Sequence, residues 1–244
     1  MVSQESKTSS HGSESGGLAP DDEARPRRQQ KAQGASNQRK KARPLDQTML
    51  RDLALSYAAR FATTGAKLEG YLARKLRERG VAEDADGRTP ELDVTGIVTR
   101  MIELGYVDDD AYARSRSRDL TARGFGARRV EQTLWAAGVA EDLRADHAPG
   151  EAESRRAAVL LAKKRRFGLF AQGGKADAGE NAGGDSHARQ KLREKQVAAM
   201  LRAGHLYDHV RFILDAAAIA EVEEWLAEAE AEESQGESGL WVNG

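Results

Sequence analysis

The chain has no cysteine among its 244 residues, which excludes disulfide bonds, thiol catalysis and zinc sites built from cysteine. The lack of disulfides fits a cytoplasmic protein, and this is the localisation we predict. Only five residues are proline and only 5% are aromatic. No stretch approaches the roughly 20 apolar residues that a membrane span needs, and the N-terminal segment lacks the apolar core of a secretory signal. Because Ala, Leu, Arg and Glu are abundant, the composition favours helices.

Recognisable catalytic and ligand-binding motifs are also lacking. Residues 168–175 contain glycines and a lysine, but the spacing of a phosphate-binding loop fails, and Ala176 replaces the hydroxyl residue that would hold magnesium. Gly124-x-Gly126 lacks the third glycine of a dinucleotide site. His205 and His209 straddle a predicted helix break, which argues against a pair of metal ligands. We therefore predict no cofactor, no metal site and no enzymatic activity.

Charge is distributed unevenly along the chain, although its formal net value is only −1. Every charged residue from Arg25 to Arg43 is basic, and nearly every one from Glu221 to Glu233 is acidic. Residues 1–45 are polar and show no apolar periodicity, so we predict a disordered basic tail. Such a tail either binds nucleic acid loosely through counterion release or only keeps the protein soluble, and the sequence leaves both open.

Apolar residues recur with helical spacing through the rest of the chain. No segment alternates with a period of two, so we predict an all-α protein without strands. The spacing and the repeat described below predict helices over 47–61, 92–104, 109–123 and 152–166, a weak helix near 141–147, and one long last helix from about residue 208. Glycines follow four of the apolar stripes, at the positions where left-handed C-terminal caps belong: Gly80, Gly105, Gly138 and Gly204.

Helix starts carry their own signals. Asp108 and Asp208 are predicted N-caps. Thr89-Pro90 has the pattern of an N-cap followed by proline at the first helical position. Asp109 and Asp110 would favour a helix N-terminus, so the run of three carboxylates is better explained by capping than by acid–base catalysis.

An internal repeat divides the helical region. Leu72-x3-Leu76-x3-Gly80-Val81 matches Val130-x3-Leu134-x3-Gly138-Val139, and Met200-x3-Gly204 is a weaker third copy. One such unit buries little surface alone, so stacked units are the expected route to a core. We predict three tandem three-helix repeats in an elongated domain: a tail over 1–45, repeats over 46–107, 108–150 and 151–231, a flexible Gly-rich insert in the third repeat over 172–188, and a flexible C-terminus over 232–244.

Two ordered stretches carry a resemblance to a known family. Residues 105–113 read GYVDDDAYA, and residues 123–139 begin RGFGARRV and end in Gly138-Val139. This series resembles the RecX family, which shows a G-[YFL]-[IVL]-[DN]-[DE]-x-x-[YF]-A element followed by G-x-x-[RK]-[IVL] and G-[IV]. Residues 165–168 and 193–205 also resemble members from alphaproteobacteria, so the similarity runs from about Leu50 to Ala217.

The resemblance implies a regulatory protein that binds the filament formed by RecA recombinase on single-stranded DNA. It implies further that the protein lies in the filament groove and mainly inhibits ATP hydrolysis and strand exchange, in DNA repair and SOS control. The implied partners are the recombinase filament and single-stranded DNA, contacted directly or through the filament. We expect a monomer that does not contact membranes.

Candidate contact residues are the basic side chains of the second and third predicted repeats, because cations suit both phosphate and acidic protein surfaces. Their alternative roles are a solvated face with weak ion pairs, or complementation of a helix dipole. The candidates are Arg114, Arg118, Arg123, Arg128, Arg129, Lys163, Lys164, Arg165 and Arg166. Tyr112, Phe125 and Trp135 invite a base-stacking interpretation, but their spacing is more typical of packing residues.

A second functional hypothesis is a helix-turn-helix-like protein that acts directly on duplex DNA. That class needs an accessible recognition helix and, usually, a dimer. The sequence shows no clear dimerisation helix apart from the acidic segment around Trp225. Duplex binding with sequence preference would favour this alternative, and filament-dependent binding would favour the first.

Overall fold

The computed structural model describes residues 43–171 and 186–239, and these residues form ten α-helices, one 3-10 turn and no strand. The predicted all-α fold is therefore confirmed for this part of the chain. The helices are α1 (Gln47–Ala58), α2 (Gly65–Arg79), α3 (Val94–Glu103), α4 (Asp109–Ala122), α5 (Ala127–Ala136), α6 (Glu141–Asp146), α7 (Glu151–Arg165), α8 (Ser186–Arg202), α9 (Tyr207–Asp215) and α10 (Ile219–Gly239), with the 3-10 turn at Gly168–Phe170.

Three groups of consecutive helices each enclose a hydrophobic cluster. The first group is α1–α3, the second is α4–α6 and the third is α7–α10 with the 3-10 turn. Leu50, Leu72 and Met101 lie in the first cluster, Leu120, Val130 and Leu134 in the second, and Met200, Ile213 and Trp225 in the third. The third group has four helices, so the predicted equivalence of three three-helix repeats, with its domain boundaries, stays a prediction.

The first cluster extends further toward the N-terminus than the predicted tail allows. Leu45 is fully buried in it, and its backbone pairs with the turn after α2: the Leu45 N–H donates to Gly80 O at 2.9 Å and its carbonyl accepts from Ala82 N–H at 2.9 Å. The prediction that disorder reaches residue 45 is wrong for this leucine, because burial of its side chain and two backbone hydrogen bonds fix it. The predicted tail otherwise lies outside the described residues, up to residue 42.

Of the three predicted helix starts, the structure confirms the one at Asp108. Asp108 accepts a hydrogen bond from Ala111 N–H at 2.9 Å, so its predicted N-cap role is confirmed. The start predicted at Thr89-Pro90 is wrong, because α3 begins at Val94, where Asp93 accepts from Gly96 N–H at 2.7 Å.

The four predicted cap glycines all adopt positive φ: Gly80 at 76°, Gly105 at 72°, Gly138 at 75° and Gly204 at 93°. A side chain is disfavoured in this region of φ, so these positions end their helices as the sequence predicts.

The single long last helix predicted from residue 208 is wrong. The chain leaves helical geometry at Ala216 and restarts at Ile219, and the Glu221 carboxylate accepts from the Ala217 N–H at 2.7 Å. Asp208 is also not an N-cap, since Leu206 occupies that position and Asp208 lies in the first turn of α9.

Of the two predicted flexible segments, the insert lies mainly outside the described residues and the C-terminal segment is described as far as Gly239. Of the insert over 172–188, residues 186–188 form the start of α8, and the rest is not described. Helix α10 continues to Gly239, which is within the predicted C-terminal segment. Its acidic residues contact α7: Glu230 pairs with Arg156 at 2.9 Å, and Glu233 accepts from Ala152 N–H at 2.8 Å.

Thr64 joins the first helix group to the second. Its hydroxyl accepts from Lys67 N–H at 3.2 Å as the N-cap of α2, and it donates to Ala137 O at 2.5 Å, at the end of α5. Next to it, the Asp109 carboxylate accepts from Gly65 N–H at 2.9 Å. Thr64 is fully buried, so its hydroxyl has no water to replace either partner.

We expect Thr64→Val to lower the free energy of unfolding by about 2 kcal/mol, because it removes a helix cap and leaves the Ala137 carbonyl without its donor. Thr64→Ser keeps the hydroxyl and should cost clearly less. Denaturant unfolding of the two variants measures the difference. Equal stability of the Val and Ser variants would contradict this assignment.

Candidate nucleic-acid and partner-binding site

All nine predicted contact residues have exposed side chains, but the structure separates them into three locations. Arg114 and Arg118 lie on one face of α4. Arg123 follows α4, and Arg128 and Arg129 begin α5. The remaining four, Lys163, Lys164, Arg165 and Arg166, lie at the end of α7.

The α4 face is electrostatically balanced. Arg114 forms an ion pair with Asp110. The depression beside Arg114 and Arg118 is also lined by Asp146 and Glu153, which reach it from α6 and α7. Asp110 binds His147 Nε2 at 2.7 Å, and this hydrogen bond, followed by the Arg114 charge, lowers the pKa of the carboxyl. An anionic partner would therefore meet carboxylates here as well as arginines.

Three other predicted residues converge on one crevice between the second and third helix groups. Arg123, Lys164 and Arg165 line a cavity of about 350 Å³, and no aspartate or glutamate is among its lining residues. The rest of the wall is apolar or backbone: Gly124, Phe125, Leu161, Phe167, Ala199 and Ala203. We call this cavity the basic crevice.

The turn between α4 and α5 shapes one wall of the basic crevice. Gly124 has φ of 90°, and a Cβ there would lie 3.3 Å from the backbone N of Leu161, so the turn rests directly on α7. The Phe125 N–H donates to Leu120 O at 3.0 Å, which brings the Phe125 ring back against the second cluster. A glycine is required at 124 because only it combines this φ with so close an approach.

The end of α7 shapes the opposite wall. Arg166 takes the left-handed conformation, with φ of 56°, and Phe167 N–H donates to Ala162 O at 2.9 Å. The chain therefore reverses and places the Phe167 ring against the third cluster. Lys164 reaches across the crevice, and its Nζ donates to Arg123 O at 3.2 Å.

The cations of the basic crevice are only partly neutralised. Arg123 pairs with Asp119 at 3.2 Å and lies over the Phe125 ring, 5.6 Å from its centroid. Among the residues that the structure describes, neither Lys164 nor Arg165 forms an ion pair. Two exposed cations without a paired acid thus face a cavity with apolar walls.

Arg128, Arg129 and Lys163 lie outside the lining of the basic crevice. Arg128 N–H donates to Gly204 O at 3.1 Å, and the Arg129 side chain donates to Gln132 at 3.2 Å. Lys163 lies over the Phe170 ring, 5.6 Å from its centroid. Only three of the nine predicted residues therefore lie together at the basic crevice.

The three aromatic residues that were predicted to pack have different surroundings. Tyr112 and Phe125 are half-buried and pack on the second cluster, as predicted. Trp135 was expected to pack too, but its side chain is 67% exposed, so that prediction is wrong. Helix α5 directs Val130 and Leu134 into the core. Successive residues of an α-helix are rotated by about 100°, so Trp135 points away from the core.

Sequence reasoning missed the walls that α8 and the end of α7 contribute. Phe167, Ala199 and Ala203 line the basic crevice, but no motif links them to Arg123. The glycines at 124, 126 and 204 were the available sequence signal for these walls, because they lie where the backbones of distant segments come into contact.

A larger cavity, of about 650 Å³, lies within the third helix group. Its polar centre is Glu151, which accepts from Arg155 Nε at 2.6 Å and from His209 Nε2 at 3.0 Å. Burial alone would raise the pKa of Glu151, but the hydrogen bonds and charges of Arg155 and His209 outweigh it and lower the pKa. His209 and Arg155 both contact the Trp225 ring, at 5.4 and 4.7 Å. This network stabilises the third group internally.

The described residues contain no group of three or more His, Asp or Glu side chains arranged to hold a metal ion. His205 and His209, the pair considered above, have separate partners: His205 bonds to Gly124 O at 3.1 Å and His209 to Glu151. The second half of the glycine-rich segment over 168–175 lies outside the described residues. No helix in the described ranges has the length and apolar character needed to cross a bilayer.

The chain is similar to two known proteins, and both are named RecX. No family model matches the chain. The regulatory protein RecX of Myxococcus xanthus (strain DK1622) is 28% identical over 180 residues, covering 72% of this chain and 89% of that protein. The crystal structure of RecX from Lactobacillus salivarius is 20% identical with a TM-score of 0.48, covering 69% of this chain and 96% of that one. The similarity to the M. xanthus protein confirms the resemblance to the RecX family that the motifs predict.

Proposed function

We propose that this chain is a cytoplasmic regulator that binds the filament of a RecA-type recombinase on single-stranded DNA. It mainly inhibits the ATPase and strand-exchange activities of the filament, in DNA repair and SOS control. The similarity to a RecX regulatory protein supports the regulatory role. The observation that carries the contact is the basic crevice, where Arg123, Lys164 and Arg165 face a cavity that no carboxylate lines.

In this proposal the protein acts as a monomer and by binding, without a cofactor and without catalysing a reaction. In the cavity of about 650 Å³ within the third helix group, Glu151 is engaged in internal pairs with Arg155 and His209. The cations of the basic crevice, in contrast, are exposed and positioned for an external anion.

The alternative, a helix-turn-helix-like protein on duplex DNA, is disfavoured by the surroundings of α5. A recognition helix enters the major groove with its N-terminal residues. At the start of α5, Gly126 N–H donates to Ala203 O at 2.9 Å and Arg128 N–H to Gly204 O at 3.1 Å. The end of α8 therefore packs directly against the start of α5, where a recognition helix needs room to enter the groove.

The test is the steady-state ATPase of the cognate recombinase on single-stranded DNA, with this protein titrated in. The double variant Lys164→Gln/Arg165→Gln should need at least about tenfold more protein for half-inhibition, because the loss of even one charge-assisted hydrogen bond, at about 1.5–3 kcal/mol, corresponds to about tenfold or more. The matched control is Arg51→Gln/Arg60→Gln, which removes the same charge from exposed positions of the first helix group. It should inhibit like the wild type.

No inhibition by the wild-type protein at stoichiometric amounts, with filament formation verified, would refute the proposed function. The role of the basic tail is tested in the same assay by a chain that starts at Arg43. A deletion through residue 45 is unsuitable, because it removes the buried Leu45 and its pairing with Gly80. Weaker inhibition without residues 1–42 would give the tail a role in binding.

A further inference from the structure

The turn between α9 and α10 is formed by residues that favour a helix. Residues 216–218 are all alanine, Ile219 and Ala220 follow them, and none of the five is charged. Alanine is the strongest helix former, so local propensity favours one continuous helix from α9 into α10. Such a helix would also supply partners for the carbonyl groups at the end of α9 and the N–H groups at the start of α10. The turn is therefore the less favourable local conformation.

The turn is held mainly by contacts outside its own backbone. Ala216 has ψ of 132°, far from helical values, and Ala217, Ala218 and Ile219 are exposed. The Glu221 carboxylate accepts from the N–H groups of Ala217 and Ala218, at 2.7 and 3.4 Å. A continuous helix does not need this cap, because its own carbonyl groups accept from both N–H groups. The turn therefore depends on where α10 docks.

Helix α10 docks on the rest of the third helix group through buried side chains. Val222, Trp225 and Ala229 are buried, and the Trp225 ring stacks on Phe212 of α9 with the centroids 4.5 Å apart. Arg155 of α7 donates to Trp225 O at 2.7 Å. Release of α10 into water would expose these apolar side chains, so α10 needs a third helix group on which to dock.

A continuous helix would direct α10 away from its own third helix group. At about 100° per residue, the buried face of α10 would be rotated by roughly 100° from the buried face of α9. The axis of α10 would also continue that of α9, instead of packing along α7. Only the third helix group of another molecule could then receive α10.

We propose that the chain forms a domain-swapped dimer, in which α9 and α10 join into one helix and α10 docks on the third helix group of a second copy. Exchange of an identical element between copies is a low-cost route to a dimer, because the contacts of that element are kept. The swap adds the helical conformation of residues 216–218, which the monomer lacks. Helix α10 also contains the acidic segment around Trp225 in which the sequence places a candidate dimerisation helix.

This inference is independent of the proposed function, in which the monomer acts. The residues that line the basic crevice belong to neither α9 nor α10, so the swap leaves that surface unchanged. The dimer would present two copies of the basic crevice on one molecule. It is a second form of the protein that increases with concentration.

The first experiment refolds the full chain from denaturant at high and at low protein concentration and measures the dimer fraction by size-exclusion chromatography with light scattering. The dimer should form at the high concentration. Ala217→Gly/Ala218→Gly should weaken dimerisation about a hundredfold, because glycine disfavours the continuous helix at these positions in both chains. The matched control Ala227→Gly/Ala231→Gly changes exposed positions of α10 that are helical in both forms. It should keep the dissociation constant of the wild type.

The opposite change at the turn should strengthen the dimer. Glu221→Ala removes the cap of the turn from each monomer, so it should lower the dissociation constant at least about tenfold. Glu228→Ala removes the same charge from an exposed position within α10 and should leave the dissociation constant unchanged.

The second experiment identifies the copy on which α10 docks, by means of thiols introduced into a chain without cysteine. Arg156 of α7 and Glu230 of α10 form an exposed ion pair at 2.9 Å, whose loss should cost little stability. In Arg156→Cys/Glu230→Cys, a short bis-maleimide should join two chains in the diluted dimer fraction, as seen on a denaturing gel. In the monomer fraction it should bridge α7 and α10 within one chain.

Three results would overturn the domain swap. They are the absence of a dimer at the highest soluble concentration, one-chain products from the dimer fraction, and equal dissociation constants for Ala217→Gly/Ala218→Gly and its control. One-chain products would show an ordinary dimer in which each α10 stays on its own chain. None of these measurements contains recombinase, so the proposed function stands or fails separately in the ATPase assay.

Discussion

Gly126→Ala is expected to lower the free energy of unfolding by about 3 kcal/mol or more, because it forces two backbone segments apart. A Cβ at position 126 would lie 2.4 Å from the carbonyl C and O of Gly204 and 2.5 Å from the N of His205. These atoms belong to the backbone, which cannot rotate away as the end of a flexible side chain can.

The contact around Gly126 fits tightly from both sides. Gly204, with φ of 93°, approaches so closely that a Cβ there would lie 2.4 Å from Arg129 N. Two hydrogen bonds close the contact, from Gly126 N–H to Ala203 O and from Arg128 N–H to Gly204 O. A methyl group at 126 therefore either strains the backbone or breaks both bonds and opens the packing between the second and third groups.

Gly70→Ala is the matched control for this substitution. Gly70 lies within α2, and a Cβ there would meet nothing within 4 Å. Alanine is the better helix former by about 1 kcal/mol, so this variant should be more stable than the wild type. Denaturant unfolding of both variants gives the comparison. A Gly126→Ala protein as stable as the wild type, beside a stabilised Gly70→Ala protein, would show that the two segments do not pack as described.

Local features of this fold could be predicted from the sequence. The helix predicted over 109–123 is observed as Asp109–Ala122, and the one predicted over 152–166 as Glu151–Arg165. The first has a sharp signal at each end: the capping carboxylate of Asp108 precedes it, and Gly124 follows it. Apolar periodicity and capping act over a few residues, so one sequence is enough to read them.

The break between α9 and α10 could not be predicted in this way. Residues 216–218 are all alanine, the strongest helix former, and no glycine or proline interrupts them. The structure ends α9 at Asp215, which pairs with Arg193 of α8, and Glu221 accepts from the backbone N–H groups of Ala217 and Ala218. Tertiary contacts therefore override local propensity at this point.

The sequence could predict which basic residues are candidates for the site, but it could not predict which of them lie together in the fold. Arg123, Lys164 and Arg165 were identified by their charge, but so were Arg114 and Arg118, whose arginine surface is balanced by acids from other helices. The basic crevice differs from the α4 surface in the segments that pack beside it. That depends on contacts between residues far apart in the chain, such as Gly124 on Leu161.

Acidification should destabilise the protein through His205, which is 1% exposed. Its Nε2 lies 3.1 Å from Gly124 O, and since a carbonyl can only accept, this nitrogen carries the proton. Its Nδ1 is buried and has no hydrogen-bond partner among the residues that the structure describes. Protonation would place a second N–H and a positive charge where nothing accepts them. Burial is the main cause that lowers the pKa of His205 from 6.5 to about 4; the Gly124 hydrogen bond partly opposes it, and the His209 charge adds to it.

The sign of the effect follows from this lowered pKa. Between pH 6.5 and about 4 the unfolded chain binds a proton at His205 and the folded protein does not. The free energy of unfolding therefore falls as the pH decreases through this window, by up to about 3 kcal/mol at about 1.4 kcal/mol for each unit of pKa difference. Below pH 4 this histidine adds no further change, and loss of stability there belongs to carboxylates with lowered pKa values, such as Glu151.

His205→Gln separates this histidine from the other titrating groups, because glutamine keeps an N–H donor at a similar reach toward Gly124 O and does not titrate. Denaturant unfolding at several values between about pH 7 and about pH 4.5 should show a smaller decrease of stability in the variant than in the wild type. The contacts of His147 with Asp110 and of His209 with Glu151 are present in both proteins. Parallel curves for the two proteins would mean that His205 is not the group responsible. A flatter curve for the variant would place an acid-sensitive contact beside the same Gly124 turn that forms one wall of the basic crevice.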